Sequence, residues 1–152
     1  MTIAVLGAGN WGTTAAILLH GNGHAVRLWE FFEERAREMT ETRENARFLP
    51  GVTIPRGITV TSSLTEVLDG AEIVVFVVPS SVMRDTARAA ARAGSLGDVA
   101  VLVSLSKGLE HDSLATMTDI IGDETGGAHP LAAMSGPCIA NEIARGLPTT
   151  IV

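Results

Sequence analysis

The chain of 152 residues has one cysteine, few positive charges and no long hydrophobic run. Cys138 cannot form a disulfide within the chain, which suits a reducing compartment. The formal net charge of -6 argues against nucleic acid or an anionic membrane as partner, because both attract clustered Lys and Arg. The longest apolar run, Ile73–Val78, is far too short to cross a bilayer. Since the N-terminus also lacks a basic signal-peptide region, we expect a cytoplasmic protein without membrane insertion.

Several common catalytic motifs are missing as well. The sequence contains no GxxxxGK[ST] phosphate loop and no HExxH, and Ser80 and Ser81 do not stand in a GxSxG elbow. The four histidines lack metal-ligand spacing, so we expect no metal: His20, His24, His111 and His129. No histidine lies close to Cys138 in sequence, which favours a packed or pocket-lining thiol over a nucleophile.

Apolar residues make up 46% of the chain and charged residues 18%, which predicts one compact domain over residues 1–152. Strands are predicted at Ile3–Leu6, Ala25–Trp29, Ile58–Val60, Ile73–Val78, Val99–Leu105, Leu131–Met134 and Thr149–Val152. Helices are predicted at Trp11–His20, Phe32–Thr42, Leu64–Leu68, Val82–Ala93, Leu114–Ile121 and Ile139–Arg145. Arg43–Gly57 reads as a long irregular connection, and Ser63–Glu66 has the spacing of a capping box. This alternation predicts a doubly wound α/β fold with a mainly parallel sheet.

The stretch VLGAGNWGTT places Gly7, Gly9 and Gly12 in a GxGxxG pattern between a predicted strand and a predicted helix. In a dinucleotide-binding fold the first glycine permits a tight turn and the second lets the backbone approach a pyrophosphate. The third allows the helix to pack closely on the strand. The free N–H groups of the helix N-terminus then face the phosphates. A glycine turn without any ligand is the alternative interpretation.

An acidic residue follows the second predicted strand, as this fold requires. Glu30 comes directly after Ala25–Trp29, and a carboxylate there can accept hydrogen bonds from the adenosine ribose hydroxyls. The same charge would repel the 2′-phosphate of NADP. The sequence therefore predicts a dinucleotide pocket that prefers NAD to NADP.

Five strings occur together and in order: GAGNWGT (Gly7–Thr13), NARFLPG (Asn45–Gly51), VPSSVMR (Val78–Arg84), SKGLE (Ser106–Glu110) and SGPCIANEIARGLPT (Ser135–Thr149). The chain thereby resembles, over essentially its whole length, the N-terminal domain of bacterial-type NAD(P)-dependent glycerol-3-phosphate dehydrogenase. The resemblance implies hydride transfer between a nicotinamide and sn-glycerol 3-phosphate, with dihydroxyacetone phosphate as the ketone. It also implies a place in glycerophospholipid metabolism, with a homodimer as one candidate assembly.

The resemblance assigns roles to individual residues. Besides the three turn glycines and Glu30, which the pattern itself indicates, it implies cofactor contacts from Asn10, Trp11, Phe31, Pro79, Lys107 and Ala140. It implies substrate contacts from Lys107, Gly136 and Cys138. The position of Lys107, just beyond the predicted strand Val99–Leu105, supports this independently, because open α/β sheets bind ligands at the carboxyl ends of their strands. A solvated surface lysine is the alternative for Lys107.

Two departures from the family pattern concern the substrate. The family commonly has Ser or Thr at the position of Cys138, and an aromatic residue at the position of Ile139. In the family a helical C-terminal domain supplies the general-base lysine and the phosphate-binding residues, so we assign no catalytic residue to these 152 residues. We therefore expect the chain to be the cofactor domain of a longer protein. The cofactor domain of another hydroxyacid or ketoacid reductase, and a non-catalytic NAD-binding sensor, are the alternatives.

Overall fold

The computed structural model describes residues 1–93 and 96–152. Within these residues the strands are β1 (Thr2–Leu6), β2 (Ala25–Trp29), β3 (Glu44–Asn45), β4 (Leu49–Thr53), β5 (Thr59–Thr61), β6 (Ile73–Phe76), β7 (Val101–Ser104) and β8 (Leu131–Ala133). The α-helices are α1 (Asn10–Gly21), α2 (Glu33–Thr42), α3 (Leu64–Leu68), α4 (Met83–Arg92), α5 (Met117–Glu124) and α6 (Ala140–Ile143). A short 3-10 turn, Ser80–Val82, precedes α4.

Six of these strands form one sheet in the order β5-β2-β1-β6-β7-β8. Every neighbouring pair in it is parallel, and Val5 of β1 lies between Leu28 of β2 and Val75 of β6. The order reverses at β1, so successive crossovers run outward in both directions from it. This is the strand order of the doubly wound dinucleotide-binding fold, and the predicted fold class is confirmed.

Both faces of the sheet are covered, which explains the continuous apolar runs of its central strands. Successive side chains of β1 enter different cores, since Ala4 and Leu6 pack with the residues of α4 and α5, whereas Ile3 and Val5 pack with those of α1 and α2. All four side chains are at most 2% exposed. The two cores hold β1 rigidly, and they therefore fix the position of the turn that follows it.

The predicted irregular connection Arg43–Gly57 is wrong in its first part, because β3 and β4 form an antiparallel hairpin there. This hairpin is not part of the main sheet. Its register shifts between Glu44 and Asn45, and Pro50 and Gly51 lie inside β4. The two features remove the alternation of apolar and polar residues by which strands are recognised in a sequence.

Three further predictions need correction. The helix predicted from Leu114 begins at Met117, because Leu114 has a positive φ of 57° and Thr116 forms a complete capping box with Asp119. The predicted box at Ser63 is half formed, because the Glu66 carboxylate accepts from the Thr61 hydroxyl instead. No strand is assigned over residues 149–152, although Ser135 and Val152 exchange two backbone hydrogen bonds.

Candidate functional site

A cavity of about 330 Å³ opens at the carboxyl ends of β1, β6 and β7. It is lined by Gly9, Asn10, Trp11, Val77, Val78, Pro79, Leu105, Ser106, Lys107 and Cys138. Four of the five strings contribute to this wall, although they are up to 129 residues apart in sequence (Cys138 minus Gly9). Parallel strands bring them together, because all carboxyl ends of such a sheet meet at the same edge.

The three glycines of the turn have different environments. Gly7 has φ +118°, and a Cβ there would lie 2.6 Å from the carbonyl oxygen of Val77. A Cβ on Gly12 would lie 1.8 Å from the carbonyl oxygen of Gly7, so the helix can approach the turn only without a side chain. A Cβ on Gly9 would meet no atom within 4 Å, and Gly9 lines the cavity. Gly7 and Gly12 are therefore needed by the fold, whereas the packing of the fold places no such demand on Gly9.

The N-terminus of α1 supplies hydrogen-bond donors to this space. Helices leave their first backbone N–H groups without a partner within the helix, and the dipole gives that end a partial positive charge. Gly9 is the N-cap of α1 and offers no side-chain cap. The buried Oδ1 of Asn10 has no hydrogen-bond partner among residues 1–93 and 96–152. Free amides and a helix end without a side-chain cap suit an anionic group such as a pyrophosphate.

Lys107 also lines the cavity, and it lies just beyond β7. Its Nζ donates a hydrogen bond of 2.9 Å to the carbonyl oxygen of Gly136, and the Sγ of Cys138 donates to the same oxygen at 3.5 Å. Gly136 must be a glycine, since a Cβ there would lie 2.4 Å from the carbonyl oxygen of Thr150. The exposed ammonium of Lys107 is therefore anchored at the cavity rather than free in solvent.

Glu30 follows β2 and is 4% exposed. Its Oε1 accepts a hydrogen bond of 3.0 Å from the Phe32 backbone N–H and lies 2.7 Å from Nη2 of Arg35, which is on α2. The Arg35 guanidinium also stacks on the Phe32 ring, with 4.0 Å to the ring centroid. Glu30 and Arg35 line a second cavity of about 170 Å³, between α2 and the β3–β4 hairpin. The carboxylate is thus buried with a paired charge.

An ion-pair network centred on Arg84 holds the loop that carries Lys107. Arg84 of α4 forms a two-pronged contact with Glu110, with Nε–Oε1 2.7 Å and Nη2–Oε2 2.8 Å, and it also bonds Glu124 of α5. Hydrogen bonds from Arg84 and Ser113 lower the pKa of Glu110 from 4.5 to about 2. Arg88 and Arg84 lower the pKa of Glu124. The VPSSVMR and SKGLE strings are therefore joined by charge as well as by the shared cavity.

The structure brings six of the residues assigned from the sequence to the main cavity: Gly9, Asn10, Trp11, Pro79, Lys107 and Cys138. Gly7 and Gly12 belong to the turn but do not line the cavity. Gly136 does not line it either, and its carbonyl oxygen accepts the hydrogen bond from Lys107. Glu30 lines the second cavity, and Phe31 beside it is exposed and packs edge-on against Trp29. Ala140 is 9% exposed at the start of α6, and its carbonyl oxygen accepts a hydrogen bond of 3.5 Å from Thr14 of α1.

Sequence reasoning missed three residues around the site. Arg35 pairs with Glu30 across the start of α2, and Ser106 lines the main cavity while its hydroxyl donates to Val78. The Nδ2 of Asn45 donates a hydrogen bond to the carbonyl oxygen of Ala8 in the glycine turn. Of these, only Asn45 and Ser106 had a signal in the sequence, since both belong to strings that carry the resemblance.

No helix in the described part of the chain is long and apolar enough to cross a membrane. Among the same residues, no group of three or more His, Cys, Asp or Glu side chains is arranged to hold a metal ion.

A parallel sheet in this order, with a glycine turn leading into a helix N-terminus where the order reverses, defines a dinucleotide-binding domain. Residues 2–152 match the family model described as NAD-dependent glycerol-3-phosphate dehydrogenase N-terminus. The chain therefore belongs to the NAD-dependent glycerol-3-phosphate dehydrogenase family and corresponds to its N-terminal domain. The family description and the names of the relatives both specify a nicotinamide cofactor.

Individual relatives agree with this assignment. The chain is 41% identical to a glycerol-3-phosphate dehydrogenase [NAD(P)+] of Fusobacterium nucleatum, over 99% of this chain and 44% of the relative. It is 44% identical to the enzyme of the same name from Chlorobium luteolum, over 100% of this chain and 46% of the relative. A crystal structure of glycerol-3-phosphate dehydrogenase from Coxiella burnetii superposes with a TM-score of 0.90 at 31% identity, covering 99% of this chain and 45% of that one. The chain thus spans about half the length of these relatives.

Proposed function

We propose that the chain binds NAD(H) in the main cavity, as the cofactor domain of an enzyme that interconverts sn-glycerol 3-phosphate and dihydroxyacetone phosphate. The observation that carries the proposal is the convergence of separate motifs on one wall. Gly9, Asn10 and Trp11 come from the glycine turn, whereas Lys107 and Cys138 come from two later strings. A bare glycine turn would need none of the later residues at the same cavity.

Each part of the wall has a proposed role. The amides of Gly9–Gly12 bind the pyrophosphate, and Glu30 with Phe31 holds the adenosine ribose. A bound nicotinamide would accept or supply the hydride at the carbinol carbon. Lys107 contacts cofactor and substrate, and its ammonium stabilises negative charge on the substrate oxygen or phosphate. Pro79 and Cys138 line the cavity around these groups, whereas Gly136 and Ala140 act through their contacts with Lys107 and Thr14.

The proposal is tested by titrating the chain with NADH in a calorimeter. Gly9→Val fills the space that the glycine keeps free, and we expect NADH affinity to fall by about 100-fold, equivalent to about 2.8 kcal/mol. Gly21→Val is the matched control, because it lies at the other end of α1 and its Cβ also meets no atom within 4 Å. The control should bind as the parent chain does. Unchanged NADH affinity of Gly9→Val would refute the proposed pyrophosphate site.

We propose that the chain alone binds the cofactor without turnover. Hydride leaves the carbinol carbon only as its hydroxyl proton is removed, and a positioned base contributes about 10²–10⁴-fold. Lys107, anchored on Gly136, is assigned to binding. The base and the phosphate-binding groups would belong to a second, helical domain, for which the length of the relatives leaves room. Oxidation of NADH with dihydroxyacetone phosphate by the 152 residues, at a rate near that of a two-domain relative, would contradict this division.

The finer parts of the proposal are a preference for NAD over NADP, the named substrate pair, a cytoplasmic place in glycerophospholipid metabolism and a homodimer. Exposed apolar side chains at Met134, Ile139 and Leu147 support self-association, which sedimentation velocity would test.

A second candidate function rests on Cys138, which presents a thiol to the cavity where the family resemblance implies a hydroxyl. Thiols are weak donors, so a hydroxyacid or ketoacid in place of glycerol 3-phosphate is the alternative substrate.

A further inference from the structure

The NARFLPG string contacts the glycine turn through a residue that does not line the main cavity. Asn45, its first residue, lies in β3 and is 3% exposed. Its Nδ2 donates one hydrogen bond of 2.8 Å to the carbonyl oxygen of Ala8 and another of 2.8 Å to the hydroxyl of Thr13. Because a carbonyl oxygen only accepts, the nitrogen of the amide must face Ala8, which fixes the orientation of the Asn45 side chain.

The other end of the same amide belongs to the hairpin. The Oδ1 of Asn45 accepts from the backbone N–H of Phe48 at 3.2 Å, across the turn between β3 and β4. Both protons of Nδ2 and the oxygen are therefore used, and the side chain has one arrangement that satisfies all its partners. A buried polar group so satisfied is rigid, because every rotation of it would break a hydrogen bond.

The two acceptors of Nδ2 enclose the ligand-facing part of the turn. Ala8 precedes Gly9 and Thr13 follows Gly12, so Asn45 clamps the chain on both sides of the residues Gly9–Gly12. The described residues contain no cis peptide bond, and in a trans peptide the carbonyl and the following N–H point in opposite directions. With the Ala8 carbonyl directed at Asn45, the Gly9 N–H points away from the hairpin, and Gly9 lines the main cavity.

We propose that Asn45 is a positioning residue for the pyrophosphate site: it holds the peptide planes of the glycine turn so that their N–H groups face the cavity before any ligand arrives. The inference rests on the proposed function, since it concerns how that same site binds NAD(H). Donors held in place before binding add affinity because less conformational freedom is lost on binding. The NARFLPG hairpin thereby contributes to the cofactor site without lining the main cavity.

Asn45→Asp tests the proposal with almost no change of shape. At neutral pH an aspartate carboxylate cannot donate to the Ala8 carbonyl and would repel it, so we expect NADH affinity at pH 7 to fall by about tenfold or more. On acidification the carboxyl group regains one O–H donor. Because burial at this position raises the pKa of the new carboxyl group, the NADH affinity of the variant should rise toward that of the parent chain as the pH falls from about 7 to about 5. A purely structural role would give no such recovery of affinity at fixed folded fraction.

Gly51→Ala is the matched control for hairpin stability. Gly51 lies in β4 with φ +76°, and a Cβ added there would meet no atom within 4 Å, so alanine strains the hairpin without touching the turn. We expect Gly51→Ala to lower the melting temperature and to leave NADH affinity unchanged. Should Asn45→Asp not fold, Thr13→Val removes one of the two clamps at similar volume, and we expect a loss of NADH affinity of about threefold.

The outcomes separate the two claims. A parent chain that binds no NADH refutes the proposed function and this inference with it. A parent chain that binds NADH, with unchanged affinity in both Asn45→Asp and Thr13→Val, refutes the inference alone. Equal losses of affinity in Gly51→Ala and Asn45→Asp would also refute it, because stability of the hairpin would then account for the effect. Loss in the Asn45 and Thr13 variants only, with recovery of Asn45→Asp at low pH, is the predicted result.

Discussion

The carboxylate of Glu30 lies where the adenosine ribose of a dinucleotide is expected, yet it is also the partner of Arg35. Oε1 is shared by the Arg35 guanidinium and the Phe32 N–H, so the carboxylate is held in a fixed orientation. We propose that its second oxygen accepts the ribose hydroxyls. Because Arg35 pairs with Glu30, a 2′-phosphate would meet less net negative charge there. The pairing therefore reduces the preference for NAD over NADP.

Glu30→Gln should relax that preference. The amide keeps the size of the side chain and removes its charge, which ends a like-charge contact with the 2′-phosphate and leaves Arg35 without its anionic partner. We expect the ratio of NADPH to NADH affinity to rise by about tenfold, equivalent to about 1.4 kcal/mol. Parallel titrations with the two cofactors measure this ratio.

Glu38→Gln is the control, because Glu38 lines the same second cavity from α2 and is exposed. It should change the ratio much less than Glu30→Gln does. An unchanged ratio in Glu30→Gln would mean that this carboxylate does not lie at the ribose.

Single residues were predictable from the sequence where a local rule applies. Gly7 and Gly12 were assigned to the tight turn and to helix packing, and the structure gives Gly7 a positive φ and Gly12 a contact that excludes any Cβ. Arg35 and Asn45 were not predicted, because their partners are set by tertiary packing. Asn45 contacts Ala8 and Thr13, which are more than 30 residues away along the chain.

At the scale of elements, the loop that carries Lys107 depends on the helix that carries Arg84. Glu110 ends the SKGLE string, and Arg84 of α4 holds it with two hydrogen bonds. The same arginine reaches Glu124 at the end of α5. The network therefore ties α4, α5 and the loop after β7 into one unit.

This network predicts acid sensitivity with a definite sign. Arg84 and Ser113 lower the pKa of Glu110 from 4.5 to about 2, so folded chains hold this proton less readily than unfolded ones. The contribution of Glu110 to stability is complete above about 4.5 and is lost as the pH falls toward about 2. Glu110→Gln should be less stable than the parent chain at pH 7, and the difference should shrink between about pH 4.5 and about pH 2.

Urea unfolding midpoints at several pH values measure this difference. Asp112→Asn is the control, because the Asp112 side chain is 98% exposed and pairs only with His111 within the described ranges. It should keep the acid sensitivity of the parent chain, to which Glu124 also contributes through its lowered pKa. A constant difference between Glu110→Gln and the parent chain across the whole range would contradict the assigned role.

Elements with strong periodicity were predictable, whereas short or interrupted ones were not. The central sheet strands β1, β6 and β7 were placed to within a few residues, because their apolar, β-branched runs are buried on both faces. The β3–β4 hairpin was missed, because Pro50 and Gly51 lie within it and its register shifts at Asn45. The start of α5 was placed too early, although Thr116 and Asp119 carry a capping signal with aspartate in the usual place of glutamate.

At the scale of the whole molecule, the sheet acts as a rigid frame that brings distant motifs to one edge. Two cores cover its faces, and the cavity lies where the strand order reverses between β1 and β6. The position of the cavity at this edge was predictable from the fold alone. Which side chains line it was predictable only in part, because Val77 and Leu105 enter the wall as ordinary apolar strand-end residues without a motif of their own.

The central claim is that NAD(H) binds at this edge, against the glycine turn and the Lys107 loop. Hydrogen–deuterium exchange of the chain, with and without saturating NADH, tests it most directly. We predict slower exchange in peptides covering Gly7–Thr13 and Ser106–Glu110, and unchanged exchange in α5, which does not line the main cavity. Protection confined to α5, or no protection at the glycine turn at saturation, would contradict the account.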